Sequence, residues 1–198
     1  MKFSIAAILA TSILHPVALA ALTVTDVVNN VGIVTSVSGN INNVLSSLST
    51  STNGPNAVSM SKTLIGQFTV IVNDLGAYTT AMQATPPFTA KADCDAIVEA
   101  LSSFVQVHQA LLATVIGKHS IFAQFGATAP VAAILRSLEA TIDSFAFAMI
   151  NLIPCGAGSV TDDKNGLDTS VGNAITQYTQ LCIPSPLYPT IMPVCATL

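Results

Sequence analysis

The sequence predicts an all-α protein: an antiparallel bundle of about five amphipathic helices with a proline-rich C-terminal tail. Three observations predict it. Apolar residues recur in steps of three and four over long stretches, as one stripe of a helix requires. Helix-start patterns of the [ST]-x-x-[DE] type precede two of those stretches. Short Pro-, Gly- and Ser-rich breaks separate the stretches, and short connections favour antiparallel neighbours.

The first twenty residues read as a secretory signal peptide. Lys2 supplies a positive start, Phe3 to Leu14 an apolar run, and Ala18-Leu19-Ala20 a small-residue cleavage site. Cleavage after Ala20 leaves 178 residues, enough for one domain with a substantial core. Residues 21–182 read as the bundle and 183–198 as the tail.

The first helix starts at Thr23, with Thr23 and Asp26 as a capping box. Its stripe runs Val24, Val27, Val28, Val31, Val34, Val37, Ile41, Val44, Leu45 and Leu48, and the run Ser49 to Pro55 ends it. The second helix covers about Ala57 to Gln83, with Leu64, Phe68, Ile71, Leu75 and Met82 on its stripe. Thr85-Pro86-Pro87 stops it, because proline lacks a donor and constrains the residue before it. The third covers about Ala90 to His119. Asp93, Asp95 and Glu99 lie at its positive end and Lys118 and His119 at its negative end. Its stripe includes Ile97, Leu101, Phe104, His108, Leu111 and Val115. Ile121 to Gly126 reads as a short apolar connector.

The fourth helix has Pro130 in its first turn, where a missing N–H costs nothing. It carries Val131, Leu135, Leu138, Ile142, Phe145, Met149 and Leu152 up to Pro154. The fifth is expected to open at Ser159-Val160-Thr161-Asp162, a second capping-box match, and to carry Leu167, Val171, Ile175 and Tyr178. Pro184, Pro186, Pro189 and Pro193 keep the tail from being helical.

Composition narrows the function. Apolar residues make up 51% and charged residues 8% of the chain, which excludes intrinsic disorder. Six basic against ten acidic residues provide no basic stripe for nucleic acid. Val27 to Ser61 carries no charge, yet asparagine, serine and threonine interrupt it throughout, so no membrane-spanning segment is expected in the mature chain.

Four cysteines, Cys94, Cys155, Cys182 and Cys195, suggest two disulfides in a secreted chain, and no close Cys or Cys/His pair suggests a metal site. In an antiparallel bundle the start of the third helix and the end of the fourth lie together. The expected pairing is therefore Cys94–Cys155, with Cys182–Cys195 pinning the tail.

No hydrolase, phosphate-loop or dinucleotide motif is present, so no enzyme and no cofactor are expected. His108 and His119 are eleven residues apart, about 16 Å along a helix, too far to share a metal ion. His108 lies on the apolar stripe. It is either a buried histidine satisfied by a carbonyl or water, or a polar handle for a ligand head group in an apolar cavity. The residues expected to line such a cavity are Phe68, Leu75, Leu101, Phe104, His108, Leu111, Leu138, Ile142, Phe145 and Met149. Plain core packing is the alternative for this set.

The stretch from Cys94 to Leu101, continuing from Leu111 to Phe122, resembles the fungal hydrophobic surface binding protein A family, which includes the cell-wall galactomannoproteins. Ile134 to Leu138, leading to Phe145, resembles it too. The resemblance spans roughly residues 24–180 and implies a secreted or wall-associated helical protein without catalytic activity. It implies partners among fatty acids or other lipids, hydrophobic surfaces, cell-wall polysaccharide and secreted polyester-degrading hydrolases.

Overall fold

The computed structural model describes residues 21–197. The signal-peptide reading falls on residues 1–20, outside the described part.

The elements are α1 (Val24–Ser46), α2 (Gly54–Gln83), α3 (Lys91–Gly117), α4 (His119–Gln124), α5 (Thr128–Leu152), a 3-10 turn (Pro154–Gly156), α6 (Ala157–Tyr178), β1 (Leu181–Ile183) and β2 (Val194–Ala196). The predicted bundle is present, with five long helices and one short one.

Local chemistry sets the helix starts. The Thr23 hydroxyl accepts from the Asp26 N–H at 3.2 Å, and the Asp26 carboxylate accepts from the Thr23 N–H at 2.8 Å. Asn53 caps α2 by accepting from the Asn56 N–H at 3.0 Å, and Pro55 sits in the first turn. Gly126, at φ +70°, closes α4, and the Ala127 N–H reaches back to the Phe122 carbonyl at 2.9 Å.

Buried positions follow one rhythm. On α1 they are Val27, Val31, Val34, Ser38, Ile41 and Leu45; on α3 they include Cys94, Ile97, Leu101, Phe104, His108 and Leu111. On α5 they include Val131, Leu135, Leu138, Ile142, Phe145 and Met149. Alternating steps of three and four form a heptad seam, which keeps one narrow stripe facing the same neighbours. Each helix contributes its stripe to one continuous core.

The long helices form a ring. α1 packs mainly on α3, α3 on α6, α6 on α5 and α5 on α2, while α2 meets α1 again over a narrower seam. α4 lies across one end, against α2, α3, α5 and β1. At the opposite end Cys94 bonds Cys155, as the antiparallel arrangement predicted, with Cα atoms 6.1 Å apart. The Phe88 N–H also donates to the Leu152 carbonyl there at 2.8 Å. Gly156 is needed beside this bridge, because a Cβ on it would stand 2.7 Å from Val98 Cγ2.

The tail forms a two-stranded antiparallel hairpin closed by Cys182–Cys195, which face each other in register. The Gln124 side chain grips it twice. Its Nε2 donates to the Ser185 carbonyl at 3.0 Å, and its Oε1 accepts from the Ser185 N–H at 2.8 Å.

Three expectations are corrected. Ile121 to Gly126, read as a short apolar connector, is mostly helix α4, with Ile121, Phe122 and Ala123 buried. The third helix stops at Gly117, and His119 opens α4 instead of closing α3. The last helix opens at Ala157 off the 3-10 turn, without a side-chain cap. Ser159 and Asp162 thus lie inside α6 and form no capping box, because the 3-10 turn had already started the helix.

α3 is long and apolar enough to cross a membrane. Its apolar stripe, however, is spent on the bundle core.

Candidate functional site

All ten residues expected to line a cavity are buried, His108 among them. The structure brings them into one core. Phe145 and Met149 border only a small void, with Val27, Val31, Tyr78 and Met82.

Open space lies outside the core: in a hollow of about 660 Å³ lined by Arg136 of α5, Tyr178 of α6 and Leu181 of β1 among others, and in a groove along the α1–α2 seam. Asn40, Ile41, Val44 and Leu45 face Met60, Thr63, Leu64 and Gln67 across a groove of about 280 Å³. Its floor is apolar, since Ile41, Leu45 and Leu64 are buried. At Met60 and Thr63 the groove meets a second hollow of about 290 Å³, lined by Ser47, Thr52, Asn56 and Ser59. The seam thus has a hydroxyl-lined mouth at the α1–α2 loop and, beside it, a groove with an apolar floor.

One helical turn further along, Ile41 gives way to Ser38 and Leu64 to Phe68. Here α1 and α2 approach His108 of α3. His108 Nδ1 is 2.9 Å from the Ser38 hydroxyl. Its ring lies 5.2 Å from Phe104 and 6.0 Å from Phe68, centroid to centroid. Burial pushes its pKa down to about 4, so the imidazole is neutral at ordinary pH. His108 Nε2 has no partner.

The pairs at the mouth are structural. Lys118 Nζ donates to the Leu48 carbonyl at 2.6 Å and so completes the C-terminal end of α1. His119 is buried against Tyr178, with its Nδ1 3.1 Å from Gln177 Nε2 and its Nε2 3.8 Å from Cys182 Sγ. His119, Cys182 and Cys195 are close enough to hold a metal ion, but both sulfurs are committed to the disulfide.

The sequence reading missed the groove residues on α1 and the opposing Met60 and Thr63. Val44 and Met60 were legible as apolar; their neighbour across the seam was not. It also missed an apolar surface on the tail. Leu181, Ile183, Leu187 and Val194 are each at least 60% exposed, and Ile191 and Met192 are exposed too. Ile183 pairs with Val194 across the hairpin. No residue from Leu181 to Leu198 carries a charged side chain.

A ring of helices around a continuous apolar interior defines a helical-bundle protein. The chain belongs to the hydrophobic surface binding protein A family, whose model matches residues 20–151. Among solved structures, AFMP4P in complex with palmitic acid is similar, with a TM-score of 0.71 at 12% identity, covering 79% of this chain and 100% of that one. Ligand binding domain 1 of the Penicillium marneffei MP1 protein, complexed with arachidonic acids, gives 0.67 at 13% identity, covering 78% and 95%. Domain 2 of that protein, also with arachidonic acids, gives 0.66 at 13%, covering 78% and 91%. No curated protein sequence matches. At these identities the structures establish a shared fold.

Proposed function

We propose that this protein is a secreted, non-catalytic carrier that holds the acyl chain of a fatty acid or similar lipid inside the bundle. The observation that carries this reading is the α1–α2 seam: the narrowest contact in the ring, marked by a groove whose floor of Ile41, Leu45 and Leu64 belongs to the core. The ten core residues from Phe68 to Met149 would line the chain once α1 and α2 part. Each methylene taken from water contributes about 0.8 kcal/mol, so a long chain supplies ample driving force against the cost of parting two helices. The palmitic and arachidonic acids held by the similar structures support the same ligand class. Delipidated protein mixed with palmitic acid at pH 5 should show a one-to-one adduct in native mass spectrometry and a raised melting temperature. No adduct and no shift would end this reading.

A second reading is favoured by the tail. An exposed, uncharged hairpin suits adsorption to a hydrophobic surface, because no charge has to be desolvated. From there the protein would bring polyester-degrading hydrolases to their substrate, as the family resemblance implies, and the same resemblance supports a setting in the cell wall or outside the cell. Replacing Ile183, Leu187 and Val194 by serine should lower retention on polystyrene while palmitic acid still binds. Unchanged retention would remove the tail from this role.

A further inference from the structure

The hydrogen positions around His108 follow from counting protons. The Ser38 hydroxyl lies 3.0 Å from the Val34 carbonyl and 2.9 Å from His108 Nδ1. A hydroxyl has one proton, and a carbonyl has none to give. Both contacts are hydrogen bonds only if Ser38 donates to Val34 and Nδ1–H donates to Ser38. A neutral imidazole has a single N–H, so Nε2 then presents a bare lone pair. That atom is buried and has no partner.

Nothing charged accompanies it. Among the described residues no Asp, Glu, Lys or Arg is buried. α1 brings Ser38 to the ring, α2 brings Phe68 and α3 itself brings Phe104. On α6, Lys164 turns to Asp143 of α5 and to Asp168 on the outside of the bundle. Lys62 on α2 and Arg136 on α5 are exposed, and Asp74 of α2 is only partly buried.

We infer that His108 Nε2 is the acceptor for a lipid head group, and that the interior therefore selects head groups that are uncharged and donate a hydrogen bond: a hydroxyl or a protonated carboxylic acid, and not a carboxylate. This rests on the carrier reading above. A carboxylate would set its own lone pairs against that of Nε2, with no cation to offset the loss of water. A hydroxyl satisfies the buried acceptor that the fold leaves open at His108.

The test compares three ligands with the same sixteen-carbon chain on delipidated protein, at pH 5 and pH 8: 1-hexadecanol, palmitic acid and methyl palmitate. Binding is read by displacement of a fluorescent fatty-acid analogue. The expected result is that hexadecanol binds about tenfold tighter than the ester at both pH values, the worth of one hydrogen bond. Palmitic acid should bind tighter at pH 5 than at pH 8. In His108→Phe the alcohol should lose its advantage over the ester while both still bind. Equal affinity of alcohol and ester for the unmodified protein would overturn the inference without any variant having to fold, as would palmitic acid binding equally well at both pH values. Failure of all three ligands at both pH values would instead overturn the carrier reading beneath it.

Discussion

Ser38 of α1 and His108 of α3 meet through a 2.9 Å hydrogen bond between Oγ and Nδ1, at two positions where the heptad seam otherwise takes apolar side chains. Each is fully buried, and each is the other's side-chain partner in the middle of an oily core.

Removing one member should therefore cost more than removing both. Ser38→Ala leaves Nδ1 without a partner and should destabilise by about 1–3 kcal/mol. Ser38→Ala with His108→Leu removes the polar pair together and should recover much of that loss. Urea denaturation of the two single variants and the double variant measures the coupling.

The same histidine sets a pH dependence. Its folded pKa, about 4, lies below its ordinary value of 6.5, so the unfolded chain binds the extra proton more readily. Stability from this group is complete above pH 6.5 and falls as pH drops from 6.5 towards 4, by up to about 1.4 kcal/mol per pH unit. Burial lowers the His119 pKa as well, which adds to the same trend. Asp26 acts in a separate window. Hydrogen bonds from the Thr23 side chain and backbone hold its carboxyl below 3.8, so its contribution is lost only at lower pH. In His108→Leu the slope between pH 4 and 6.5 should shrink but not vanish, as thermal melts across that range will show.

Gly156→Ala should destabilise by about 1–3 kcal/mol, because the new methyl would stand 2.7 Å from Val98 Cγ2 beside the Cys94–Cys155 bridge. Adding Val98→Ala should restore part of the loss. Equal melting temperatures for Gly156→Ala and the unmodified protein would show that the neighbouring segment yields freely.

The two disulfides should differ in worth. Cys94–Cys155 spans 61 residues and Cys182–Cys195 spans 13. Chain entropy assigns about 4 kcal/mol to the first and about 3 kcal/mol to the second. Replacing each pair by alanine and comparing denaturation midpoints checks the order.

Much of the architecture was legible because steps of three and four survive whatever the neighbours are. The Thr23–Asp26 box worked for the same reason: a cap needs only its own turn. Ser159–Asp162 carried an identical pattern and formed no box, since the turn from Pro154 had already launched α6 two residues earlier. Nine of the ten core positions were readable as apolar, and His108 as the polar exception on its stripe. Which pair of helices would meet least closely was not, because the α1–α2 seam depends on ring order and not on either stripe alone. Nor did the stripe show that Ser38 would stand opposite His108.

The tail hairpin and the hydroxyl-lined mouth share one end of the molecule. Tyr188 of the tail lies 5.9 Å from the Phe125 ring, and Phe125 in turn packs beside Gly54 at the start of α2, next to the α1–α2 loop. On the proposed reading, a molecule that settled on wax by its uncharged hairpin would bring the α1–α2 end of the bundle close to the same surface. Landing and taking on cargo would then be a single event, and the ratio of hairpin grip to acyl-chain affinity would decide whether the protein stays as a coat or departs as a ferry.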